Sequence, residues 1–341
     1  IVDLGGFDDG SFVQSEAIAL NNPDEQGTVQ VVGASLPASR SWEAISWHVS
    51  AAGSVSSLGL GTLGGPVSWA RGVNDFGDIA GLSQPSPGAT GRAVAWYESS
   101  LGNVVGPIDL TGTGSHAAGV NNFGQIVGFT TGIETRGLLW ERAVDGNGNP
   151  IFNTTDLGAF HPQDINDFGV MVGWVDGSLE FGAAVAQFDV LGELHVVLLG
   201  FLPGDVSSTA YAINNWGDVV GESTSISDGK FFPRAFLARA DENGNYGDLI
   251  PLGMLSGDKT SRARDINDAG QVVGDSGGSH GFLWQNGAMK NVNSLLPSNS
   301  NWDIRRASAI NQAGQIVGFG DIKLSRKVTE QHGFLLSPPA P

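Results

Sequence analysis

The sequence predicts an all-β fold, a seven-bladed β-propeller of four-stranded antiparallel blades. Three observations predict it: a phrase written seven times, a spacing between copies close to the length of one blade, and a fragment of the last copy displaced to the start of the chain.

The phrase has the form Ala-x-x-Ile-Asn-x-x-Gly-x-Val-Val-Gly. Its asparagine falls at Asn21, Asn74, Asn121, Asn166, Asn214, Asn267 and Asn311, at intervals of 53, 47, 45, 48, 53 and 44 residues. Each copy resolves into four short strands. The first ends on the asparagine, as in Ala210-Tyr211-Ala212-Ile213-Asn214. A turn such as Asn74-Asp75-Phe76-Gly77 follows, where Asn and Asp tolerate turn geometry and Gly accepts positive φ. The second strand is Val-Val-Gly or a close variant, β-branched as a doubly buried strand requires. The third reads Arg92-Ala93-Val94-Ala95-Trp96 or His280-Gly281-Phe282-Leu283-Trp284, and the fourth Asp156-Leu157-Gly158 or Pro251-Leu252-Gly253. Trp47, Trp96, Trp140 and Trp284 are expected to pack between blades.

The seventh copy stops after its third strand, at His332-Gly333-Phe334-Leu335-Leu336, and its missing fourth strand matches Ile1-Val2-Asp3-Leu4-Gly5. Pairing of that segment onto the last blade closes the ring and leaves no incomplete blade. The expectation is one domain, 1–341, with units near 15–66, 67–114, 115–160, 161–207, 208–260, 261–303 and 304–337 plus the strand 1–6.

Composition agrees. Fifty-one Gly and 15 Pro suit short strands and turns, while nine Trp and 17 Phe supply a core that a disordered chain lacks. Seventeen Lys and Arg against 35 Asp and Glu leave a net charge of −18, which argues against nucleic acid as a partner. The chain has no Cys, so disulfides, thiolate metal sites and a cysteine nucleophile are excluded. There is no apolar run long enough to span a membrane, so no membrane insertion by this chain is expected.

The set Ile-Asn-x-x-Gly-x-Val-Val-Gly, (His/Arg)-(Ala/Gly)-Phe-Leu-Trp and Asp-Leu-Gly, with Gly59-Leu60-Gly61-Thr62-Leu63-Gly64-Gly65 between units, resembles the HAF repeat of predicted extracellular bacterial proteins. The resemblance covers nearly the whole chain and implies an exported, extracellular or cell-surface protein. Unit one departs from it with a lengthened turn, Asn22 to Gly27, and unit four with Ala183-Ala184-Val185-Ala186 in place of the aromatic strand.

Propellers take ligands at a channel mouth, so the informative positions are those that vary while the frame repeats. Five residues before each anchor stand Glu16, Trp69, His116, His161, Thr209, Arg262 and Arg306. Three before it stand Ile18, Arg71, Ala118, Gln163, Tyr211, Arg264 and Ser308. Alternation along a strand places both sets on one side, and the rim is assigned to Trp69, Arg71, His116, His161, Gln163, Tyr211, Arg262, Arg264 and Arg306. Four arginines in an acidic chain point to an anionic ligand, since a guanidinium grips a carboxylate or sulfate with paired donors. The alternative for Arg71 and Arg264 is pairing with nearby acids such as Asp265.

Two function classes compete. The first is a non-catalytic binding or assembly module for a glycan, a protein or its own copies, including a subunit of an extracellular filament or surface layer. The second is a polysaccharide lyase acting by β-elimination on a uronate, with His116, His161, Tyr211 and Arg264 as its machinery. No organic cofactor is expected. Asp145, Asn147, Asn149 and Asp156 fall at calcium-loop positions, but Pro150 stands where such a loop needs glycine, and the same residues read better as an Asn/Gly hairpin tip.

Overall fold

The computed structural model describes residues 1–7, 12–37, 41–98, 104–144, 146, 150–176, 182–325 and 328–338. Their strands form seven four-stranded antiparallel sheets arranged as the blades of a propeller. Six blades are consecutive meanders, and in the seventh the strand Val2–Gly5 pairs with Thr329–Leu336 at the outer edge. The inner strands are Phe12–Leu20, Ser68–Val73, Ser115–Val120, Phe160–Ile165, Ser207–Ile213, Ser261–Ile266 and Trp302–Ile310. All seven end immediately before an anchor asparagine.

The anchors hold the blades to one another. In Asn74, the side-chain Oδ1 accepts the main-chain N–H groups of Phe76 and Asp78, which fixes the turn, while Nδ2 donates to the carbonyl of Asn121 in the next blade at 2.9 Å. The same donation runs from Asn121 to Asn166, Asn166 to Asn214, Asn214 to Asn267, Asn267 to Asn311 and Asn311 to Asn21. A second ring lies one residue further on and is complete. The N–H of Asn22 donates to Asp75, Asp75 to Asn122, Asn122 to Asp167, Asp167 to Asn215, Asn215 to Asp268, Asp268 to Gln312, and Gln312 back to Asn22. Amide and carboxylate alternate around that ring, and Gln312 occupies the seam that an odd number of blades makes unavoidable.

Each inner strand carries a β-bulge between the residues four and two before its anchor, for instance between Ala70 and Gly72. The extra residue is the variable one three before the anchor. The glycine of Val-Val-Gly faces this bulge, and its identity follows from the close approach. A β-carbon on Gly33, Gly81, Gly128, Gly173, Gly221, Gly274 or Gly318 would sit 1.9 to 2.1 Å from a backbone carbonyl oxygen of the inner strand.

Buried serines join neighbouring blades at the other end of the inner strand. Ser68, Ser115, Ser208 and Ser261 accept the N–H of Ala44, Ala93, Ala183 and Ala235 from the preceding blade. Ser15 accepts the N–H of Gly333 and repeats this contact across the ring closure, where His332 also meets Asp3 at 2.8 Å. Between blades lie apolar clusters containing the fully buried Trp47, Trp96 and Trp140, with Trp284 at 9% exposure.

Candidate functional site

The inner strands surround a channel with two chemically different mouths. At their N-terminal ends lies a cavity of about 450 Å³ lined by every one of the bulge residues, Ile18, Arg71, Ala118, Gln163, Tyr211, Arg264 and Ser308, together with Glu16, Trp69 and Arg306. A second cavity of about 310 Å³ lies at their C-terminal ends among the asparagine rings. The bulge explains the division. The extra residue has no partner on the second strand, so its side chain turns towards the channel.

The residues five before the anchor precede the bulge and remain paired, each opposite the residue that follows the Val-Val-Gly glycine. That neighbour decides their fate. His116 lies against Phe129, ring centroids 5.6 Å apart, and His161 stacks on Trp174 at 4.0 Å, with Phe129 between the two histidines. His161 is 1% exposed, and neither histidine lines the channel cavity. Burial pushes both imidazole pKa values down, and at His116 the charge of Arg71 adds to the effect. Arg262 sits opposite Asp275 and pairs with Glu222 at 2.6 Å, while Arg306 lies over the Phe319 ring at 5.0 Å. Simple alternation placed both sets on one rim. The structure brings together Trp69, Arg71, Gln163, Tyr211, Arg264 and Arg306, and leaves His116, His161 and Arg262 outside the lining.

Asp275 organises one side of the mouth. Its carboxylate accepts from Arg264 Nε at 2.9 Å and lies 3.6 Å from both Arg262 and Arg306. The acid nearest in sequence to Arg264, Asp265, is engaged elsewhere and accepts the N–H groups of Ile266 and Ile310. Tyr211 packs beneath Arg264 with the guanidinium 5.3 Å from its ring centre, and burial raises its phenol pKa well above the ordinary value. Across the channel, Arg71 has no hydrogen bond or ion pair among the described residues. Desolvation by the surrounding channel wall lowers the pKa of Arg71, although its side chain is exposed in the channel, and that of Arg306, where Arg264 adds to the shift.

Between the cavities stand Asp164 and Asp265, common to both linings. Asp164 accepts the N–H groups of Ile165 and Ile213, the arrangement Asp265 repeats one blade-pair away. Burial pushes both pKa values up to about 7 against the pull of those hydrogen bonds. The signal for Glu222 and Asp275 was present in the sequence as the residue after each Val-Val-Gly, the cross-strand partner of the rim position. The two channel aspartates stand two residues before their anchors, where other blades carry Ala or Gly.

Of the calcium-loop positions, Asp145, Asn147 and Asn149 lie outside the described residues. Asp156 lies in the strand Pro150–Gly158, where Arg136 holds its carboxylate at 2.7 Å and Gly158 donates its N–H. The one group of three metal-ligating side chains among the described residues is Asp189, Glu193 and His195. Asp189 there accepts the N–H groups of Leu191 and Glu193 and contacts His195 at 2.9 Å, so hairpin capping accounts for the cluster. No helix among the described residues is long and apolar enough to cross a membrane.

A family model described as a protein of unknown function (DUF3466) matches residues 204–337. Curated proteins give no match. Among solved structures the chain is similar to polysaccharide lyase Uly1, with TM-score 0.57 and 11% identity over 94% of this chain and 90% of that one. It is also similar to the β-propeller domain of the Trilobed protease from Pyrococcus furiosus, with TM-score 0.54 and 11% identity over 96% of each chain. An acylaminoacyl peptidase from Pyrococcus horikoshii gives TM-score 0.53 and 11% identity over 98% of this chain, which spans 52% of that enzyme's length. At such identity these likenesses establish the propeller and nothing about its chemistry.

Proposed function

We propose that the protein is a non-catalytic binding propeller that takes a carboxylate- or sulfate-bearing glycan at its arginine mouth. The observation that carries this reading is Arg71, a guanidinium without an ion-pair partner among the described residues, inside the channel of a chain with net charge −18. Trp69 beside it offers a planar apolar surface, and Arg264 and Arg306 extend the basic arc. The resemblance to HAF repeats supports an exported, cell-surface setting for such a module.

Isothermal titration with tri-galacturonate, an alginate tetramer and cellotetraose tests the reading. The acidic oligosaccharides should bind, added salt should weaken them, and Arg71→Ala should cost about ten-fold in affinity, or ~1.4 kcal/mol. Equal affinity for cellotetraose, or no binding of any acidic ligand, overturns it. The same incubations, followed for absorbance of unsaturated uronates, address the lyase alternative, the activity for which the similarly folded polysaccharide lyase Uly1 is named. Against it stands the placement of His116 and His161 in an aromatic stack away from Tyr211 and Arg264, so a flat trace is expected.

A second reading, self-association, is favoured by the outer strand of blade four, Leu194–Gly200. Val196, Val197 and Leu198 are exposed on this sheet edge, beside exposed Val190 and Leu191. Other outer strands carry a polar, charged or proline residue in mid-strand, such as Ser56, Pro107, Pro251, Lys290 or Asp3, whereas here His195 stands next to the strand's start and is followed by the unbroken apolar run Val196–Leu199. Light scattering across a concentration series tests it. Val197→Lys should convert a dimer to a monomer, and a wild-type monomer at all concentrations removes the idea.

A further inference from the structure

The asparagine mouth carries a feature that its hairpins do not need. Two residues after the anchor, at the tip of each turn, stand Phe76, Phe123, Phe168 and Trp216 in four consecutive blades, exposed by 73, 75, 69 and 73%. The corresponding residues of the other three blades are Pro23, Ala269 and Ala313. Asn267 and Asn311 form their inter-blade bonds beside an alanine tip as Asn121 and Asn166 do beside phenylalanine, so no aromatic ring is required for the turn. The backbone beneath each ring is fixed, because the N–H of its own residue donates to the anchor Oδ1.

Polar groups separate the rings. Asn122, Asp167 and Asn215 lie between successive tips on the complete amide–carboxylate ring. From Trp216 a groove of about 790 Å³ continues between blades five and six, edged by Arg239, Asp241, Glu242 and Asp268. The surface is therefore an arc of flat apolar platforms, each flanked by hydrogen-bonding side chains, and not one fused apolar patch.

We propose that this face binds a neutral polysaccharide, with pyranose rings seated against the aromatic tips and hydroxyl groups meeting the intervening amides and carboxylates. A pyranose presents an apolar C–H face and a hydroxylated edge in regular succession, which is the alternation the arc displays. The carboxylates of Asp75, Asp167, Asp241, Glu242 and Asp268 repel anionic glycans and anionic lipid. Insertion of the tips into a bilayer would also draw the carboxylates beside them out of water. This site is independent of the arginine mouth. Its amide–carboxylate ring lies six residues on from the first rim position, past the end of each bulged inner strand, a span of at most about 20 Å at strand rise.

Affinity gel electrophoresis of the full chain in xyloglucan, glucomannan and laminarin tests the proposal, with titration of chitohexaose for a soluble measurement. At least one neutral glycan should retard the protein. Trp216→Ala should weaken binding about ten-fold, and the quadruple variant Phe76→Ala, Phe123→Ala, Phe168→Ala, Trp216→Ala should abolish it without lowering the melting temperature. Arg71→Ala should leave neutral-glycan binding intact, and the quadruple variant should leave acidic-oligosaccharide binding intact, so each mouth fails separately. No retardation by any neutral glycan, or retardation unchanged in the quadruple variant, overturns the proposal. Loss of a wild-type dimer in the quadruple variant, with no glycan bound, overturns it in favour of a second copy as the occupant.

Discussion

The two ends of the same inner strands obey different rules. At the C-terminal end the same asparagine recurs in all seven blades, and six of them donate to the carbonyl of the next anchor, Asn21 accepting from Asn311. At the bulge three residues earlier the chain places Ile, Arg, Ala, Gln, Tyr, Arg and Ser. The contrast teaches that repetition here marks what holds the ring, and variation marks what the ring presents. The second mouth refines the lesson, since its anchors are invariant while the tips just beyond them change from aromatic to small.

The comparison breaks most severely at the glycines that permit the bulge. Gly128→Ala would drive a β-carbon to 1.9 Å from the His116 carbonyl, a clash with backbone that no rotamer relieves. We expect a loss of about 3 kcal/mol or more, or failure to fold, by denaturant titration. Gly192→Ala is the control. That glycine has φ +81° at a hairpin tip with nothing within 4 Å, so the change should cost only about 1 kcal/mol. Equal effects at the two sites would refute the close-approach account of the Val-Val-Gly glycine.

A smaller loss is expected at an anchor. Asn166→Ala removes the donation to Asn214 and strips the N–H groups of Phe168 and Val170 of their acceptor. Leaving such groups without partners costs about 2 kcal/mol. Gln163→Ala, on the same strand but in the channel, should stay within about 0.5 kcal/mol, because its amide makes no hydrogen bond among the described residues. If the two substitutions cost the same, the division between a structural end and a presenting end is wrong.

The repeat made the ring, its blade count and its closure readable from the sequence, because hydrophobic pattern and turn chemistry agree in every unit. The site was half readable. Arg71, Gln163, Tyr211 and Arg264 line the channel cavity because a bulged residue, unpaired on the second strand, turns its side chain towards the channel. His116 and His161 do not, because alternation within one strand says nothing about the adjacent strand, where Phe129 and Trp174 draw the imidazoles away. The sequence offers Asp265 as a partner for the arginines and gives no sign of Asp164, for a related reason: the backbone partners of these two carboxylates, Ile213 and Ile310, lie one blade on, 49 and 45 residues away. The sequence shows Phe76 as a turn residue, and only the exposure of Phe76, Phe123, Phe168 and Trp216 in the structure separates these tips from core.

The smallest predicted effect concerns the seam, where one blade is assembled from both chain ends and the pair that Arg92–Asp109 and Arg136–Asp156 make between third and fourth strands is made by His332 and Asp3. Burial acts to lower the pKa of His332, but the carboxylates of Asp3 and Glu330 outweigh it and raise the pKa above that of a free imidazole. A group with a higher pKa folded than unfolded contributes fully below its unfolded value, near 6.5, and the contribution fades as pH rises through the folded value. Asp164 and Asp265 impose the same sign on the whole protein: their protons, held up to about pH 7, are released at higher pH and leave buried charge behind. The diagnostic quantity is therefore the difference between wild type and His332→Gln, in which the aspartates cancel. By calorimetry the variant should melt about one or two degrees lower at pH 5.5 and show little deficit at pH 9, and added salt should shrink the gap at the acidic end. A deficit constant with pH would mean that His332 serves the seam by shape and hydrogen bonding alone, and that charge plays no part in holding the first strand to the last.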